Sequence, residues 1–174
     1  LVLAGLVADN ASVARAYTMA LHLINSLFLV GSLVVHLDLA KIKSFSLAKT
    51  SKIIRWIAMA SLVSFLLIGA SGAISALSTT LFPWESLFSG LAKDFAQKSN
   101  FLVKARISHP LVALTLGGLL ILFAYSIFLT TENLLLKKRA AWLLGLTLSG
   151  ILIGIITLFL LSPLFLKLLH LTWA

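Results

Sequence analysis

The chain contains no cysteine, which excludes disulfides, thiolate metal sites and dithiol redox chemistry within it. Charge is almost as scarce. Only 11% of residues are charged, and five of the 174 are acidic, where a soluble domain has roughly a quarter charged. So little polar surface cannot cover a water-soluble fold of this length. Also missing are a Gly-rich phosphate loop, a Ser-His-Asp pattern and a His-Glu-x-x-His motif, so no catalytic residue can be assigned from a motif. The start has no cleavable-signal pattern either: Asp9, Asn10 and Ser12 follow a short apolar stretch with no basic region before it.

What is present is apolar. Hydrophobic residues make up 60% of the chain and the mean hydropathy is +1.10, which predicts an all-α transmembrane bundle. A spanning helix needs about 20 mainly apolar residues. Four stretches supply them: Ala16 to Leu37, Ile53 to Leu77, Ile107 to Thr131 and Ala140 to Leu161. A fifth begins at Pro163 and stops at Ala174, which at about 1.5 Å per residue is half a span, as in a truncated helix. Leu1 to Val7 reads as the tail of an earlier span or a loop. Small residues (Gly69, Gly72 and Ala73, then Gly117 and Gly118, then Gly145, Gly150 and Gly154) punctuate the spans, and helix packing is reason enough for nearly all of them.

The 14 basic residues do not indicate nucleic acid, because most lie in short gaps between apolar runs. Lys41, Lys43, Lys49, Lys52 and Arg55 fill one gap, and Lys137, Lys138 and Arg139 another. The positive-inside rule puts the loops 38–55 and 132–139 in the cytoplasm and the segment 78–104 outside. In that outer segment Trp84, Leu87, Phe88, Leu91 and Phe95 recur at helical spacing among Glu85, Lys93 and Asp94, predicting a short amphipathic helix at the membrane surface.

Polar groups inside a membrane are costly and need a reason. His36, beside Asp38 at the end of the first span, can reach headgroups and water. His22, His109 and His170 lie within spans one, three and five, roughly 8–10 Å below the outer surface by helical rise. All three spans enter from that side, so three histidines share one level. Neutral imidazole is a good iron ligand, and a bis-histidine haem takes one ring on each face of the porphyrin. Lys104, Arg106 and Lys167 lie about a turn or more outward, placed to meet anionic propionates. Ala20-Leu21-His22-Leu23 and Leu168-Leu169-His170-Leu171 are alike and hint at a duplicated four-helix unit. No charged residue lies near a midplane, which disfavours a transporter.

Several runs resemble the heme A synthase family. They are Gly5 to Asn10 leading to Ala20 to Leu23, Gly69 to Ile74 through Leu81-Phe82-Pro83, Ser86 to Phe95, Lys104 to Pro110, and Ser162-Pro163 through Leu171. The resemblance covers nearly the whole chain. It implies an eight-span protein of two four-helix halves, with spans four to eight here. Residues 1–50 would be an outer loop, one helix of the substrate half and a cytoplasmic linker. Residues 51–174 would be a haem-binding carboxy-terminal bundle cut short in its last helix. It further implies a haem b held by His109 and His170, with His22 a ligand on the substrate side. The family oxidises a ring methyl of haem O to a formyl group, giving haem A for terminal oxidases. Implied partners are haem O, haem O synthase, an electron donor and the lipid bilayer of a prokaryotic-type plasma membrane, and homo-oligomers are compatible. The family's amino-terminal Glu-x-x-His-Arg motif is absent here, and Pro110 follows His109 where that motif has Arg; in a first helical turn proline is tolerated. The rival expectations are a non-catalytic bis-histidine electron-transfer subunit and a cofactor-free assembly subunit.

Overall fold

A computed structural model of the chain describes residues 5, 10–41, 52–96 and 100–173. The readings of Leu1 to Val7, of the basic residues Lys43 and Lys49 and of Ala174 lie outside the described residues, Gly5 excepted. The described residues form six helices: α1 (Val13–Lys41), α2 (Lys52–Leu81), α3 (Leu87–Phe95), α4 (Phe101–Thr130), α5 (Leu134–Phe159) and α6 (Leu164–Trp173). Among the described residues, four stretches are long and apolar enough to cross a membrane: Val13–Leu37, Arg55–Leu81, Phe101–Thr130 and Leu134–Phe159. The chain is an integral membrane protein, and the described residues form no strands.

Hydropathy sets the helices, and short polar side chains set their ends. Ser12 Oγ accepts from Arg15 N at the start of α1. Ser86 caps α3 through Ser89 N, Asn100 caps α4 through Leu102 N, and Asn133 caps α5 through Leu135 N and Leu136 N. Each satisfies an amide that has no partner within its helix. The reversal from α5 to α6 passes through Leu161 and Ser162, both at positive φ (60° and 56°), a conformation that costs a side-chain-bearing residue about 1–2 kcal/mol. Pro163 then bars continuation of α5, and α6 starts at the next residue, where the sequence placed the turn.

Several helices run past the apolar stretches read from sequence, with α5 starting at Leu134 and α2 ending at Leu81, and two departures bear on the site. α4 begins at Phe101, six residues before the apolar stretch, so Pro110 is its tenth residue and not part of a first turn. A proline there removes the amide that the Arg106 carbonyl would accept from, so the helix continues with one bond fewer. α3 forms where predicted, but it is not simply a surface helix. Gly90 and Asp94 are buried on its inner side, while Phe88 and Phe95 are 84% and 72% exposed.

The packing order runs α1, α2, α4, α5, α6. The α2–α4 contact is the most extensive, α4–α5 and α1–α2 follow, and α3 lies on α4. The buried apolar residues are mostly small or medium: Ala16, Ala20, Ala124 and Ala140 with Leu77, Leu102, Val103 and Leu120. Helices in lipid gain little from burying large apolar groups against each other, so close approach over small residues dominates. Accordingly Gly69 meets Leu23 and Leu27 of α1, and Gly117 meets Ile151 of α5.

Candidate functional site

Of the histidines the sequence singled out, the fold brings together His109 of α4 and His170 of α6. Their ring centroids are 6.3 Å apart, with the planes at 62°. Both side chains are half-buried. The rings fit because the facing helices have glycine there. A Cβ on Gly72 of α2 would stand 3.2 Å from His109 Cε1, and one on Gly154 of α5 would stand 3.1 Å from His170 Cε1. Ordinary helix packing therefore does not account for Gly72 and Gly154, which form cradles for the two rings. His109 Nδ1 lies 3.0 Å from Ser71 Oγ, whereas His170 Nδ1 is buried without a hydrogen-bond partner.

Two imidazoles bound through one nitrogen each to a single metal have centroids about 6 Å apart, from a metal–nitrogen bond of about 2 Å and a ring radius of about 1 Å on each side. The pair has that spacing. Among the described residues there is no group of three or more His, Cys, Asp or Glu side chains arranged for a metal ion. Two histidines alone suit a metal whose remaining ligands come with it, as the four nitrogens of a porphyrin do. The orphaned Nδ1 and the two glycine cradles also fit a site built around these rings.

One turn toward the amino-terminus lies a basic residue on each histidine helix, Arg106 on α4 and Lys167 on α6. Both reach carbonyls at the end of α2: Arg106 Nη1 donates to Phe82 O at 2.7 Å and Lys167 Nζ to Thr79 O at 3.4 Å. The negative end of the helix dipole favours cations there. Arg106, 4% exposed, also forms a salt bridge with the fully enclosed Asp94 of α3, with Nε donating to Oδ2 at 2.8 Å. Trp84 Nε1 donates to Asp94 Oδ1 at 3.3 Å, and the Arg106 guanidinium sits 4.8 Å from the Trp84 ring. Only a glycine allows α3 to cross this indole, for a Cβ at Gly90 would fall 2.2 Å from Trp84 Cγ. Two charges are buried here, so losing either partner would leave the other uncompensated.

The other sequence-derived candidates lie apart. Lys104 is exposed near the amino-terminal end of α4. His22 is exposed on α1, a helix that packs on α2 and touches α4 only lightly. Sequence reasoning missed Ser71, and it missed Asp94 as the partner of Arg106. Ser71-Gly72 lies in the Gly69 to Ile74 run that resembles the family, but nothing there gave either residue a role toward His109, and no motif marks Ile153-Gly154.

A family model described as "Cytochrome oxidase assembly protein" matches residues 1–174. Two proteins named "Protoheme IX farnesyltransferase", from two strains of Thermus thermophilus, are each 30% identical to the chain over 174 residues, which is all of this chain and 29% of theirs. The chain thus spans less than a third of the length of these curated relatives. No solved structure matches it. With its full length matched, the chain belongs to the cytochrome oxidase assembly protein family, the family of the heme A synthases.

Proposed function

We propose that this chain is the haem b-holding part of a heme A synthase, with His109 and His170 as the axial ligands. The observation that carries the reading is the histidine pair itself, 6.3 Å between centroids and flanked by Gly72 and Gly154. The haem would supply one-electron transfer to or from a second, substrate haem. The protein's part is to fix depth and ligation. Two helices carry one imidazole each to a common level, and the glycines leave room for both rings. Arg106 and Lys167 put positive charge toward the outer surface, where propionates would point; three of the five guanidinium N–H groups of Arg106 are engaged by Asp94 and Phe82, so Lys167, on one long bond to Thr79 O, is the freer of these two for anions.

The reaction read from the family is oxidation of a haem O methyl to a formyl group. The relatives' printed name, a farnesyltransferase of protoheme IX, supports a haem substrate. His22 would serve a substrate haem from α1, completed by spans of an eight-span, two-half architecture. The same scheme puts 78–104 outside and 38–55 with 132–139 in the cytoplasm.

A reduced-minus-oxidised visible spectrum of the purified protein, with pyridine haemochrome identification, tests the reading. A low-spin b-type signal lost in His109→Ala and His170→Ala is the expected result, and His22→Ala should keep that signal while losing haem O turnover. A colourless protein that takes up no added haem would sink the proposal and leave an assembly subunit.

A further inference from the structure

Ser71 and Gly72 are consecutive on α2 and both meet the His109 ring. The Ser71 hydroxyl has one proton and two neighbours: Ile68 O at 2.9 Å and His109 Nδ1 at 3.0 Å. A carbonyl oxygen only accepts. When the hydroxyl proton goes to Ile68 O, Oγ faces the ring as an acceptor. Nδ1 then carries hydrogen and Nε2 keeps its lone pair, which is the tautomer a metal bound at Nε2 requires. A histidine that donates its second N–H in this way is held in orientation and becomes the more basic ligand.

The opposite cradle lacks this device. Gly154 is preceded by Ile153, whose side chain has no hydrogen-bonding group, and His170 Nδ1 is buried unpartnered. We propose that Ser71 is a positioning residue that locks His109 in the Nδ1–H form and makes it the stronger of two inequivalent ligands. The ligand half of this statement rests on the haem reading; the tautomer half belongs to the protein itself.

The test uses the full chain with nitrogen-15 histidine, purified with and without haem. Long-range proton–nitrogen NMR of the haem-free protein should show His109 protonated at Nδ1. Ser71→Ala should shift it to a mixture or to the Nε2–H form, and Ser71→Thr, which keeps the hydroxyl, should restore the wild-type pattern. In the loaded protein Ser71→Ala should weaken haem binding about tenfold and raise the midpoint potential, because a weaker donor stabilises ferric iron less, with Thr again close to wild type. An Nε2–H His109 in the wild type, or a tautomer and potential indifferent to Ser71→Ala, would overturn the inference. A tautomer that responds as expected in a chain that never binds haem would overturn the haem reading and, with it, only the ligand half.

Discussion

On the α2/α4 side of the histidine pair, Gly72 opens space for His109, Ser71 bonds its Nδ1, and Arg106 one turn earlier is buried against Asp94. On the α5/α6 side, Gly154 opens space for His170, its Nδ1 has no partner, and Lys167 one turn earlier is half-buried on the Thr79 carbonyl. The plan is shared: a glycine on one helix, and a basic residue three positions before the histidine on the next. The anchoring is not. His109 stands on a 30-residue helix strapped at its amino-terminal end by α3, and His170 on a 10-residue helix after a left-handed turn. One ring is fixed by bonds, and the other is placed by shape alone.

On the haem reading proposed above, that contrast can be broken most forcefully at His109 and His170. His109→Ala should erase the low-spin spectrum and most of the bound haem. His170→Ala should leave a larger residue of haem, now high-spin, read by absorption and haemochrome yield; equal losses would abolish the asymmetry. Asp94→Ala strands a buried guanidinium, and breaking such a pair costs about 3–5 kcal/mol. Thermal unfolding in detergent should show that loss, whereas Lys167→Ala should cost under about 1 kcal/mol, as expected of a group with a single long bond. The glycines come next. Alanine gains about 1 kcal/mol of helix propensity over glycine, but crowding a packed ring costs about 1–3 kcal/mol. Gly72→Ala should therefore weaken haem binding, because Ser71 holds the ring it strikes. Gly154→Ala should do so less, since the His170 ring has no bond to keep it from turning; a haem titration of both variants decides.

Much of the fold was legible in the sequence. A run of twenty apolar residues has one solvent it can lie in, so the spans, the turn at Ser162-Pro163 and the common depth of His109 and His170 followed from counting. The start of α4 did not. Its first two turns hold Lys104 and Arg106, which a hydropathy window rejects, and they are helical because Asn100 caps them and Asp94 receives Arg106. Asp94 and Arg106 are twelve residues apart on separate helices, beyond any local pattern. Gly72 and Gly154 looked like the other small residues of the spans, and nothing in their neighbourhood says that a ring, and not a backbone, approaches them.

Depth and neighbourhood are therefore decided by different physics. Composition partitions each helix along the membrane normal, and the apolar runs alone placed the four long spans. Rotation about the helix axis and the choice of neighbour are another matter. Helices apolar on all sides carry no stripe to orient them, so close packing over small residues sets both. The resemblance had already paired His109 with His170; only the tertiary structure set their rings 6.3 Å apart, left His22 exposed on α1, and gave one ring of the pair a serine and the other none.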